Sequence, residues 1–200
     1  MARRVGPSLD QATVVQAAVS LADEVGWEQV TLSGVAVRLG VQTPSLYHHL
    51  AGLAGLRRAL TLWGLRELTR RLQRAAAGKA GAAALLALAH TYREFAHEHP
   101  GVYPATLRAP EGADAGGADA EWVVAAADVV DVVLAVLAGF GLAGDDALHA
   151  MRGLRSLLHG FVALEAAGGF GLPLDLDESF ERLLQVFSTG LQQLSRSQPR

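Results

Sequence analysis

Apolar residues recur at three- and four-residue spacing along the chain, a pattern that predicts helices only. Val14, Ala17, Ala18, Leu21 and Val25 form the buried stripe of a first helix. It starts near Ser8, with Gln11 three residues on in a near capping box, and ends at Gly26. Trp27 then plugs a three-helix head. In Thr31–Leu39 the residues Leu32, Val35, Ala36 and Leu39 share one face of a short second helix. Gly40 ends it with the left-handed backbone a tight exit needs, and Val41 fills the angle behind it. A third helix follows at once, with Pro44 in its first turn and Leu46 and Leu50 facing inward at i and i+4. Gln42, Thr43, Ser45, Tyr47 and His48 are left pointing outward.

A long helix spans Leu53 to Ala77, with Leu56, Leu60, Trp63, Leu65, Leu68 and Leu72 apolar, and the segment Ala75–Gly81 breaks it. Another runs from Ala82 to His97 and is stopped by Pro100; Tyr103, Pro104 and Leu107 mark a short element before a Gly/Ala/Asp loop from Pro110 to Ala118. Glu121–Phe140 is apolar almost all round, which fits a buried central helix or a membrane span. Asp128 and Asp131 in its middle and the lack of a basic flank favour the buried helix. Two helices close the chain. Asp145–Ala167 carries Leu148, Met151, Leu154, Leu158, Phe161 and Val162, and Asp177–Leu194 carries Phe180, Leu183, Leu184, Phe187, Leu191 and Leu194. So regular a seam either seals its own core or pairs with a copy of itself.

The outward groups after Gly40 are hydrogen-bonding or aromatic and uncharged, which suits base edges and phosphates. A glycine turn between two short helices is how a helix-turn-helix presents such groups to DNA, although an ordinary helical hairpin shares part of the pattern. At Leu46-Tyr47-His48-His49-Leu50 the chain resembles the TetR family of one-component transcriptional repressors, whose recognition helix ends in a pattern close to LY-x-HF. The resemblance covers about the first third of the chain in motif and the rest in helix layout. It implies an all-α fold, with a three-helix DNA-binding domain at 1–52 and a helical ligand-binding and dimerisation domain at 53–200. It places Thr31 and Ser33 against backbone or bases, and Thr43, Pro44, Ser45, Tyr47 and His48 on the reading face. It further implies a homodimer through the last two helices, as a two-fold palindrome requires. The chain departs from the family at Leu53, where a lysine commonly grips a phosphate; the loss weakens backbone anchoring, and Arg3 and Arg4 on the N-terminal arm offset it. Around Leu158-His159-Gly160 the sequence is also similar to a C-terminal subtype named for a Trp-His-Gly motif, with Leu158 in the tryptophan position.

Composition sharpens this picture. With 50% hydrophobic and 18% charged residues, the 200-residue chain folds rather than staying disordered. The absence of cysteine excludes disulfides, thiolate metal sites and a cysteine nucleophile. No apolar stretch follows Arg3 and Arg4, so the N-terminus does not read as a secretory signal, and a cytoplasmic location is expected. Residues 1–74 hold nine arginines against five acids, a net of +4, whereas the remainder holds eight basic and fifteen acidic residues, a net of −7. A basic head on an acidic body is expected where only the head meets a polyanion.

Trp63, Tyr92, Phe95, Tyr103, Trp122, Phe140 and His159 are candidates to line a small-molecule pocket in the body, or else plain core. His90, Glu94 and His97 share a helix face that fits a divalent ion or a solvated rim. Arg152, Arg155 and His159 align for an anionic ligand or for acids on neighbouring helices. No nucleophile triad, phosphate loop or carboxylate pair stands out, so neither an enzyme nor a cofactor is expected. Two readings follow: a repressor that leaves its operator DNA when a small molecule binds, and a helical small-molecule-binding or dimeric interaction protein with weak or lost DNA binding.

Overall fold

The computed structural model describes residues 9–108 and 119–196 of the chain. Every regular element among them is helical: α1 (Gln11–Val25), α2 (Leu32–Leu39), α3 (Gly52–Ala76), α4 (Gly81–Glu98), α5 (Tyr103–Thr106), α6 (Ala120–Ala138), α7 (Gly144–Ala166) and α8 (Leu176–Arg196), with 3-10 helices at Trp27–Gln29 and Thr43–His48. Arg3, Arg4, the Ser8 cap and the Pro110–Ala118 loop fall outside the described residues. Two compact units form, one from the described parts of Met1–Leu65 and Glu98–Val123, the other from those of Arg66–His97 and Val124–Arg200. The first unit thus runs past residue 52 into the middle of α3 and takes in α5.

In the first unit, Val14, Ala18, Val19, Val35, Leu46 and Leu56 are at most 1% exposed and form a common core. The cap of α1 is Asp10, whose carboxylate accepts from the Thr13 N–H at 2.8 Å. Gly26 leaves α1 at φ 86° and Gly40 leaves α2 at φ 66°, so both turns use backbone that a side chain would strain. The segment after α4 is locked onto α1. His99 Nδ1 lies 2.8 Å from Asp23 Oδ2, and the Gly101 N–H donates to Asp23 Oδ1 at 3.1 Å. The His99 ring stands edge-on to Trp63 at 5.0 Å.

The second unit is held by a polar pin inside an apolar seam. Arg93 on α4 forms a bidentate pair with Glu165 on α7 at 2.9 and 2.5 Å and reaches Asp177 on α8 at 2.7 Å. Its guanidinium also lies over the rings of Phe161 and Phe180, at 5.4 and 5.0 Å. Arg93 holds the Glu165 carboxyl below the usual carboxylate range, against the opposing effect of burial.

Two expectations from patterning need correction here. Helix α6 is not buried on all sides: only Ala125, Val136 and Leu137 are buried, and Val124 is 59% exposed. Uniform apolarity gave no face to choose, and the packed neighbours cover one side alone. The α8 seam also divides. Phe180, Leu184 and Leu191 are sealed in the unit's own core, whereas Leu194, in the last turn of the helix, is 56% exposed.

Candidate nucleic-acid interface

The reading surface is built on three buried anchors. Leu46 and Leu50 point into the core, and Val35 of α2 is fully covered beneath them. The six-residue segment Thr43–His48 winds as a 3-10 helix, tighter than the α-helix its spacing predicts, with Pro44 in its first turn. This orientation leaves Gln42, Pro44, Tyr47 and His48 exposed, Tyr47 at 59%, while Thr43 and Ser45 are half-buried beside them. Thr31 caps α2, its hydroxyl accepting from the Gly34 N–H at 3.1 Å and lying 3.1 Å from the exposed Ser33 hydroxyl. The sequence-expected residues of this site that fall within the described chain therefore lie in two adjoining segments, the N-terminal turn of α2 and the 3-10 helix.

Charge near this surface is managed differently from the motif. Arg38 on α2 is ion-paired with Glu24 on α1, and Arg57 on α3 lies 3.4 Å from Glu28. Leu53 is 38% exposed in the first turn of α3, an apolar side chain in open position.

The surface can be compared with known proteins. A family model described as "Bacterial regulatory proteins, tetR family" matches residues 14–60, and one described as "Tetracyclin repressor-like, C-terminal domain" matches residues 85–187. An uncharacterized HTH-type transcriptional regulator of Mycobacterium tuberculosis, Rv0681, is 36% identical over 184 residues, covering 92% of this chain and 82% of the relative. Another, YobS of Bacillus subtilis, is 36% identical over 192 residues, 96% of each chain. The chain belongs to the TetR family. It is a transcriptional regulator with a DNA-binding helix-turn-helix. A solved structure from Rhodococcus sp. RHA1 superposes with TM-score 0.78 at 24% identity, over 96% of this chain and all of that one. A TetR variant of Acinetobacter baumannii AYE in complex with minocycline gives TM-score 0.68 at 23% identity, covering 94% and 99% of the two chains. Both show the shared fold.

The seven pocket candidates are divided between the two units. Trp63, Tyr103 and Trp122 belong to the first unit, and Tyr92, Phe95, Phe140 and His159 to the second. Tyr92, Phe95, Tyr103 and Phe140 are buried, with Phe95 fully covered beneath the Arg71 guanidinium at 5.7 Å. Trp122 keeps a buried indole N–H with no acceptor among the described residues. His90 and His97 have carboxylate partners on other helices, Glu181 at 2.6 Å and Glu165 at 2.8 Å, and Glu94 is exposed.

A hollow that patterning does not signal lies in the second unit. It measures about 540 Å³ and is lined by the last turn of α3, the start of α4 and the outer side of α6. None of the seven candidates lines it. Five of its twelve lining residues are alanine, which reads as helix filler in a sequence. No helix among the described residues is long and apolar enough to cross a membrane, which removes that reading of α6.

Proposed function

We propose that this TetR-family regulator is a ligand-responsive repressor that binds palindromic operator DNA as a homodimer in the cytoplasm, and that a small molecule in its C-terminal domain releases it. The DNA-binding domain is 1–52 and the ligand-binding and dimerisation domain 53–200. The reading carries the DNA contacts on Thr31, Ser33, Gln42, Thr43, Pro44, Ser45, Tyr47 and His48, with Arg3 and Arg4 as a basic arm. The observation that supports it best is the exposed, uncharged hydrogen-bonding surface of Gln42, Tyr47 and His48, held out by the buried Leu46 and Leu50. Effector binding would favour a dimer whose heads no longer match the spacing of adjacent major grooves, about 34–36 Å. The His159-Gly160 pair supports assigning the body to the Trp-His-Gly subtype.

A second reading has its own observation. Leu53 presents no cation where the family grips a phosphate, which favours a binding or interaction protein with weakened DNA affinity. Retention on a duplex-DNA column over a salt gradient separates the two. Elution only at several hundred millimolar salt is expected of the repressor, and passage at low salt would overturn it.

A further inference from the structure

The hollow of the second unit has a built-in polarity. Ala76, Ala80, Ala84, Val132, Ala135 and Val136 line it, and Ala84 and Val136 are buried at its floor. The small side chains at the end of α3 and in the turn before α4 are what leave the space open, because a larger residue at Ala76 or Ala80 would occupy it. Its volume falls within the usual range of small-molecule sites, about 300–1,000 Å³.

A pair of carboxylates gives this hollow a negative character. Asp128 and Asp131, one turn apart on α6, line it, are exposed, and have no hydrogen bond or ion pair among the described residues. The ends of α3 and α6 border it too, but their last carbonyls are taken, Ala76 by the Lys79 N–H and Val136, Leu137 and Ala138 by the N–H groups of Gly139, Phe140 and Gly141. Lys79 also lines the hollow, but its ammonium donates to the Ala75 carbonyl at 2.7 Å and so caps α3. An apolar floor beneath two unpaired carboxylates complements an apolar body carrying a positive charge.

We propose that this groove, at the junction of α3, α4 and α6, binds a small amphipathic organic cation. The proposal rests on the reading of the helical body as the effector-binding part of a regulator, and it names the class of effector. In this arrangement the apolar part of the ligand covers Ala84, Val132 and Val136, and its cationic centre lies beside Asp128 and Asp131.

The test uses two ions of one shape and opposite charge. Tetraphenylphosphonium and tetraphenylborate are titrated into the full-length protein by calorimetry, without DNA. The cation is expected to bind at least tenfold more tightly than the anion. The double variant Asp128→Asn, Asp131→Asn is expected to weaken the cation by about tenfold, since each of the two exposed carboxylates contributes about threefold. Ala135→Trp, a substitution at an exposed position, is expected to fill the groove and abolish cation binding with the melting temperature unchanged. Equal affinity for the two ions, or cation binding indifferent to both variants, would overturn the proposal. The effector reading is judged separately, on operator DNA. If the cation binds in the groove and operator retention is unchanged, the site stands and its effector role fails. If a different compound releases operator while the cation does not bind, the site fails and the repressor reading stands.

Discussion

Tyr47 and Leu53 sit six residues apart and, on the proposed reading, bear on the two halves of DNA recognition. Tyr47 is exposed because Leu46 and Leu50 take the inward positions, an arrangement the i, i+4 spacing makes readable in the sequence. If Tyr47 makes a specific base contact, Tyr47→Ala is expected to weaken operator binding by about 1–3 kcal/mol with the circular dichroism spectrum unchanged. Unaltered affinity would take it off the reading face. Leu53 tests the sequence-independent half. Leu53→Lys is expected to tighten binding to specific and non-specific DNA alike, because a phosphate contact carries no direct sequence information. One added contact in each subunit of a dimer should steepen the slope of log affinity against log salt by roughly 1.8, at about 0.9 per phosphate. An unchanged slope would mean that the first turn of α3 does not face the backbone.

At the scale of elements, the docking of the post-α4 turn onto α1 depends on one missing side chain. A Cβ on Gly101 would stand 1.8 Å from the Ala22 carbonyl oxygen and 2.6 Å from the Asp23 nitrogen, both main-chain atoms that cannot swing aside. Gly101→Ala is therefore expected to destabilise the protein by at least about 2 kcal/mol in denaturant unfolding, more than an ordinary helix substitution. A loss within about 0.5 kcal/mol would show that the turn is loosely held. On α3, Arg70 first and Arg71 with it hold the Glu67 carboxyl down from 4.5 to about 2, against the opposing effect of burial. A carboxylate with a depressed pKa contributes stability above its unfolded pKa and loses it as pH falls through the folded value. The wild type is thus expected to lose on the order of 1 kcal/mol between about pH 4.5 and pH 2 that Glu67→Gln does not lose, read from paired acid unfolding curves. Much of the element layout was legible in the sequence. Gly26, Gly40 and the breaker segment after α3 act through local backbone geometry, which a single residue type encodes. The Gly101 contact and the groove were not, because each depends on which distant backbone comes close and no periodicity records that. The α6 expectation failed for a related reason: an all-apolar helix states that it can be buried but not how much partner surface exists to bury it.

For the whole molecule, the question is which apolar face is left after each unit has closed its own core. Leu184 and Leu191 are buried within a single chain, so charging them tests folding, not assembly. Another surface of the last two helices remains uncovered. Val186, Gly190 and Leu194 follow one another at four-residue spacing on α8, with Val186 73% and Leu194 56% exposed. On α7, Leu157, Gly160 and Leu164 follow at three- and four-residue spacing, and Leu164 is 50% exposed. A Cβ on Gly160 or Gly190 would meet nothing within 4 Å, so these stripes leave room for another helix to approach closely. A two-fold pairing of such faces makes a four-helix bundle and satisfies the symmetry of a palindromic site. The wild-type protein is expected to sediment as a dimer. Val186→Glu with Leu194→Glu is expected to give a folded monomer, because both side chains are exposed in the isolated chain. Leu184→Glu is expected instead to lose the cooperative melt, since it places an unpaired charge in a sealed core. A Val186, Leu194 variant that still sediments as a dimer would move the interface away from these helices. The two-fold axis that sets the spacing of the two reading heads on DNA would then lie elsewhere on the chain.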